Sequence, residues 1–148
     1  MGHPSALFID LDQFKAVNDT FGHSVGDEVI AHVGRRISAA VRSGDDVYRS
    51  GGDEFVVVCA ADSGNPHAAD DLRLLATRIV DRIAEPFECR EHRIRIGATI
   101  GIAAGCSPTG AHRSLDETIC VADQAMYVAK ACRPGSVLHA DTQSQIDC

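Results

Sequence analysis

The chain has 148 residues, a formal charge of −7 and 45% hydrophobic residues. That length suits one domain able to bury about 70% of its unfolded surface, and the apolar content argues against disorder. The acidic balance and the lack of tryptophan exclude a nonspecific binder of nucleic-acid polymers and a base-stacking platform. A phosphate-rich small ligand would need metal ions or a few placed cations to offset this charge.

Residues 6–11, ALFIDL, predict a short strand on which Asp10 and Asp12, two apart, share a side. Residues 14–21 read as a short helical turn, broken across Gly22 to Asp27, with Asp27 as N-cap or first-turn acid of the next helix. In that helix Val29, Ile30, Val33, Ile37 and Val41 recur at helical spacing. Residues 47–50 and 54–60 predict a hairpin with a tight turn at Gly51 and Gly52. A loop covers 61–67, and 68–84 form a second amphipathic helix stopped before Pro86. Residues 92–103 read as one strand, 115–131 as a third helix and 137–138 as a last short strand, with a frayed tail from about 139. The β-α-β-β-α-β part of this order is the ferredoxin-like arrangement and predicts an α+β fold.

The six cysteines, at 59, 89, 106, 120, 132 and 148, include no C-x-x-C pair, which suits reduced thiols of a cytoplasmic protein. No apolar run reaches the roughly 18 residues of a membrane span, and the N-terminus lacks the charge and apolar pattern of a signal peptide.

In the ferredoxin-like topology the end of the first strand lies beside the tip of the hairpin. Asp10 and Asp53 then converge, with Asp12 and Glu54 close by. Carboxylates this close repel and need a counter-ion. Hard oxygen ligands suit Mg²⁺, which takes one or two carboxylates and fills its shell with phosphates and water. The plainer alternative is that these acids are simply solvated at strand ends.

Three blocks in order, FIDLDQFKAVNDTFGHSVGDEVI at 8–30, RSGGDEF at 49–55 and DQAMYVAK at 123–130, closely resemble the GGDEF-domain diguanylate cyclases. The resemblance runs from about residue 6 to 138. It implies one GGDEF domain over 1–148, with a cyclase-palm version of the ferredoxin-like fold and a mostly antiparallel sheet packed with helices. It also implies joining of two GTP molecules into cyclic di-GMP with release of two pyrophosphates. The cofactor implied is Mg²⁺, with Mn²⁺ as a substitute.

Carried over residue by residue, Asp10 matches a metal ligand and Leu11 a position that lends its backbone carbonyl to the metal. Asp53 matches the acid that binds metal and takes the proton from the 3′-hydroxyl. Glu54 is expected on the opposite strand face from Asp53, and is kept as an active-site residue. Asn18 and Asp27 match a guanine-reading pair, and His23 a substrate contact between them. An acid there accepts from guanine N–H groups that adenine lacks. Lys15 and Lys130 match contacts to the phosphates, Lys15 in the catalytic role. Arg42 and Asp45, an R-x-x-D pair, with Arg78, match an inhibitory site for cyclic di-GMP.

Departures from the pattern shape the remaining expectations. The family's helix and L-T-G-L-x-N-R stretch before the first strand have no counterpart, so the chain reads as an N-terminally short member or a fragment. One sheet face and part of the pocket are then expected to be less covered. Pro134 stands where an arginine is expected, with Arg133 one place early. A sensory or dimerising region is expected to be missing from this stretch, yet by the resemblance one domain holds one GTP and the reaction needs a homodimer. The competing reading is a catalytically weak domain that binds GTP or cyclic di-GMP as a sensor.

Overall fold

The computed structural model describes residues 2–61 and 64–141. Its elements are β1 (Ser5–Asp12), α1 (Phe14–Phe21), α2 (His23–Ala40), β2 (Asp46–Arg49), β3 (Glu54–Cys59) and α3 (Ala68–Ala84). There follow β4 (Phe87–Cys89), β5 (His92–Ile94), β6 (Gly97–Ala103), α4 (Leu115–Cys132) and β7 (Val137–His139).

The alternation along β1 sets the layers. Leu7, Ile9 and Leu11 join one apolar cluster with residues of α2 and α3, whereas Ala6 and Phe8 join another with Ala122 and Met126 of α4. The sheet between them has the order β2-β3-β1-β6-β7. β1 is antiparallel to β3 and β6, β2 is antiparallel to β3, and only β7 joins in parallel, on β6. This is the expected α+β, mostly antiparallel arrangement, with four helices among the described residues.

Several boundaries differ from the expectation for local reasons. Gly22, in the left-handed region at φ 90°, makes the whole break between α1 and α2. Its carbonyl already accepts from Gly26 N, so α2 starts at His23. Asp27 is therefore in the second turn and is neither N-cap nor first-turn acid. The strand expected over 92–103 is split, and a separate β4–β5 hairpin precedes β6. Its turn is made by Arg90 and Glu91, both at positive φ (47° and 73°). Neither is the glycine or asparagine that signals such a turn.

Glu28 of α2 pins that hairpin, accepting from Cys89 Sγ at 2.6 Å and Arg90 Nε at 2.8 Å. Arg36 of α2 caps the end of α3, donating to the carbonyls of Arg82, Ile83, Glu85 and Pro86 while its guanidinium lies 4.9 Å from the Phe87 ring centroid.

The expected loss of cover is not found at β1, where Ala6, Leu7, Phe8 and Ile9 are all buried. The open part of the sheet is its edge strand β2, with Tyr48 41% exposed. The ordered core also runs past 138. His139 is buried, and Asp141 sits near Arg113 and His139; residues 142–148 lie outside the described residues. Cys59, Cys89, Cys106 and Cys120 are free, and burial pushes the Cys59 thiol up to about 12.

Two outcomes follow from this packing. Gly101 of β6 lies under α4, and a Cβ there would run into the Ala122 carbonyl and the Met126 amide, which are backbone atoms and cannot step aside. Gly101→Ala should cost about 1–3 kcal/mol as overpacking does, read as a lower urea midpoint at unchanged m-value.

The second concerns His139, whose imidazole burial holds below its ordinary pKa, with Arg73 and Arg113 acting the same way against Asp141. The unfolded chain takes up that proton first as pH falls. The stability tied to neutral His139 is thus full above about pH 6.5 and is lost as pH drops from there toward the folded pKa. Unfolding free energies measured between about pH 7.5 and 5.5 should fall less steeply in His139→Gln than in the wild type.

Candidate active site

Register brings the acids together. Asp10 lies directly across from Glu54 on β3 and from Thr99 on β6, and directly opposed residues share a sheet face. Asp12, two residues on, shares it too. This is the α4 face, where the apolar run of Ala6 and Phe8 gives way to Asp10 and Asp12. The last turn of α4 delivers Lys130 to that point. Its Nζ lies 2.9 Å from Asp10 Oδ2 and 3.6 Å from Asp12 Oδ1, and donates to the Leu11 carbonyl at 3.0 Å.

Asp12 is braced from the other side. Thr99 Oγ1 donates to Asp12 Oδ1 at 2.7 Å and accepts from Gly135 N at 2.9 Å. The segment that departs from the family pattern is thereby tied to the acids. Arg133 N donates to Ala129 O, Gly135 turns at φ 83°, and Ser136 O accepts from Ile100 N. The Arg133 side chain itself is exposed.

Asp53 ends the loop between β2 and β3. Its carbonyl accepts from Leu11 N at 3.1 Å, which fixes the loop against β1. The expected tight turn at the two glycines is not what joins the strands. A four-residue loop, 50–53, does so, and neither Gly51 nor Gly52 is in the left-handed region. Arg49 holds the loop from inside, donating from Nε to Gly51 O at 2.9 Å and from Nη2 to Gly52 O at 2.7 Å. Glycine at 51 leaves room for Glu54, whose Oε2 would lie 2.9 Å from an added Cβ. Gly52 has nothing within 4 Å of that position.

The charges are unbalanced. Burial holds the Asp10 carboxyl above the ordinary range; Lys130 pulls it down, and Asp53 and Asp12 push it further up. Burial also raises Glu54, and Asp10, Asp123 and Asp53 add to that against Lys130. Asp10 Oδ1 is buried and has no hydrogen-bond partner.

Among the described residues no three His, Cys, Asp or Glu side chains close around one point. A Mg²⁺-like ion does not need three, since one or two carboxylates, a carbonyl and substrate oxygens suffice. The orphaned Asp10 oxygen beside the Leu11 carbonyl fits such an ion, and Asp53 is near enough to act on Asp10 electrostatically.

The residues expected to meet substrate lie nearby in part. Asn18 of α1 is half-buried, with its side chain over Gly26 of α2, the residue before Asp27. Asp27 and His23 are exposed on the first turns of α2, and Lys15 is exposed on α1. The R-x-x-D pair is closed on itself. Asp45 Oδ2 accepts from Arg42 N at 3.1 Å and from its Nε at 3.4 Å, and Asp45 Oδ1 accepts from Ala60 N at 3.0 Å. The Asp45 side chain is only 1% exposed. Arg78 reaches the same corner, donating to Ala40 O at 3.1 Å.

Sequence reasoning missed Thr99, Arg49 and Gly26. Thr99 carried a usable signal. It is the one hydroxyl in an otherwise apolar stretch that had to be buried, and a buried hydroxyl needs a partner.

A family profile described as "Diguanylate cyclase, GGDEF domain" matches residues 2–134. The bifunctional diguanylate cyclase/cyclic di-GMP phosphodiesterase MucR of Pseudomonas aeruginosa is 40% identical over 148 residues, which is 96% of this chain and 20% of MucR. The diguanylate cyclase DosC of Escherichia coli K12 is 35% identical over 85% of this chain and 26% of its own length. The chain thus spans 20% and 26% of the length of these two relatives.

Among solved structures, the GGDEF domain of PA1120 from P. aeruginosa superposes with a TM-score of 0.83 at 34% identity, covering 93% of this chain and 82% of that one. The GGDEF domain of DgcB from Caulobacter crescentus, solved in complex with c-di-GMP, gives 0.82 at 25% identity, covering 95% and 79%.

Proposed function

Because the chain belongs to the GGDEF-domain diguanylate cyclase family, we propose that it condenses two GTP molecules into cyclic di-GMP as a homodimer in the cytoplasm. The observation that carries this reading is the gathering of Asp10, Asp12, Glu54 and Lys130 on one sheet face, with an orphaned Asp10 oxygen beside the Leu11 carbonyl. No helix among the described residues is long and apolar enough to cross a membrane.

Each half-reaction forms a bond from the 3′-oxygen of one GTP to the α-phosphorus of the other and releases pyrophosphate. Asp53 accepts the 3′-hydroxyl proton. Asn18 and Asp27 read guanine, Asp27 accepting from N1–H and N2–H₂, and His23 contacts the nucleotide between them. Lys15 offsets charge on the phosphates, and Lys130 is close enough to the acids to do the same once nucleotide is bound. Asp10, the Leu11 carbonyl and Asp53 would hold Mg²⁺ or Mn²⁺, which would lower the hydroxyl's pKa and offset the charge of the leaving pyrophosphate.

Product inhibition through Arg42, Asp45 and Arg78 belongs to the same reading. It requires the corner at 42–45 to open, since Asp45 spends its oxygens on protein donors. A sensor without turnover is the second reading, favoured by Pro134 in place of an arginine and by the exposed Arg133.

The two part when purified protein is given GTP and Mg²⁺ at several protein concentrations and cyclic di-GMP is read by mass. A dimer-dependent cyclase makes product faster than linearly with protein. Folded protein that makes none at any concentration rules out the enzyme.

A further inference from the structure

Two of the groups that fit a divalent cation, the Asp10 carboxylate and the Leu11 carbonyl, already hold a cation of the protein's own, the carboxylate through Oδ2 while its Oδ1 stays orphaned. Lys130 Nζ is 2.9 Å from Asp10 Oδ2, 3.0 Å from the Leu11 carbonyl oxygen and 3.6 Å from Asp12 Oδ1. Three consecutive residues of one strand thus supply oxygens around a single compact charge. An ammonium has three donors and no acceptor, so it suits such a set.

The holders and the occupant differ in freedom. Asp10 is fixed by β1 pairing on both sides, and Asp12 by pairing with β6 and by Thr99. Lys130 hangs on a flexible stem from the last turn of α4, and its side chain is 32% exposed. It can leave while the backbone stays still.

We propose that Lys130 is a resident counter-ion which a divalent cation must displace from Asp10 and the Leu11 carbonyl in order to bind. The inference rests on reading those two groups as ligands of the cation. With the lysine seated, the carboxylates of Asp10 and Asp12 are offset in the metal-free protein. With a metal seated beside it, two cations would share one carboxylate and the Leu11 carbonyl and repel. The seated lysine therefore weakens binding of metal alone, and a released ammonium is free to meet the phosphates of an arriving nucleotide.

Mn²⁺ binding without nucleotide, followed at constant pH by the electron paramagnetic resonance of the free ion, tests this on the whole chain. Lys130→Met should bind Mn²⁺ at least about tenfold tighter than the wild type, a coupling of ordinary size for two linked ligands. Lys130→Arg keeps the charge and should stay at or below wild-type affinity. Asp10→Asn should abolish the site.

Unchanged or weaker affinity in Lys130→Met, with binding still lost in Asp10→Asn, overturns the resident-cation proposal and leaves the cyclase reading intact. Binding that Asp10→Asn does not affect means the ion sits elsewhere, and both the proposal and the metal assignment fail. Circular dichroism checks folding, and Lys130→Gln stands in if the methionine variant does not fold. A lysine that only stabilises the fold predicts a lower melting temperature in both neutral variants with no gain in Mn²⁺ affinity.

Discussion

Asp53→Ala should lower cyclic di-GMP synthesis by about 10²–10⁴-fold, the range lost with a general base, while leaving the melting temperature close to that of the wild type. The two halves of this expectation come from different atoms of one residue. The structural contribution of Asp53 is its backbone carbonyl, which accepts from Leu11 N, and alanine keeps it. Its side chain makes itself felt through charge, raising both Asp10 and Glu54. Removing one of several crowded acids relieves repulsion, so no loss of stability is expected. Binding of cyclic di-GMP at Arg42 and Asp45 should survive, because that corner lies at the other end of β2 and β3 from the acids. Turnover by mass, melting by circular dichroism and product binding by calorimetry separate the three quantities. Wild-type turnover in a folded Asp53→Ala chain would remove Asp53 from the chemistry.

Part of this site was legible because its pattern is local. The two-residue spacing of Asp10 and Asp12 fixes a shared face, and the hairpin order puts residue 53 beside the end of β1. What the spacing did not reveal is the face of Glu54. Counting pleats from Asp53 assumes a regular strand through 53, but β3 starts only at Glu54, which pairs with Asp10.

Lys130 shows a second kind of opacity. Its contact with Leu11 spans 119 residues, and nothing in the helical periodicity of α4 says that its last turn reaches the acids. Arg90 and Glu91 show a third. They take left-handed conformations without glycine or asparagine, because Glu28 grips Cys89 and Arg90 across the hairpin. Tertiary contacts override turn preference there, so the β4–β5 pair could not be read from composition.

Gly26 is where local preference and the site pull in opposite directions, and Gly26→Ala makes the conflict measurable. Helix propensity alone predicts a gain, since alanine in a helix interior is better than glycine by up to about 1 kcal/mol. Gly26 is buried within α2, and a Cβ there would overlap Asn18 Oδ1 and sit 3.3 Å from Phe14 Cζ. The overlapped atom is the far end of a side chain on α1, which can rotate away at little cost in stability. It cannot rotate away and still keep the place over Gly26 from which it is proposed to read guanine.

Gly26→Ala should therefore keep or slightly raise the melting temperature. The KM for GTP should rise about 5- to 100-fold, matching the loss of one hydrogen bond that leaves its partner unpaired, about 1–3 kcal/mol. The maximal rate should change much less, because Asp10 and Asp53 are not touched. Discrimination against ATP should narrow together with the rise in KM, since the amide that fails to meet guanine no longer separates the two bases. A variant with unchanged KM and unchanged discrimination would mean that Asn18 does not read the base, and that Gly26 serves only the close approach of α1 to α2.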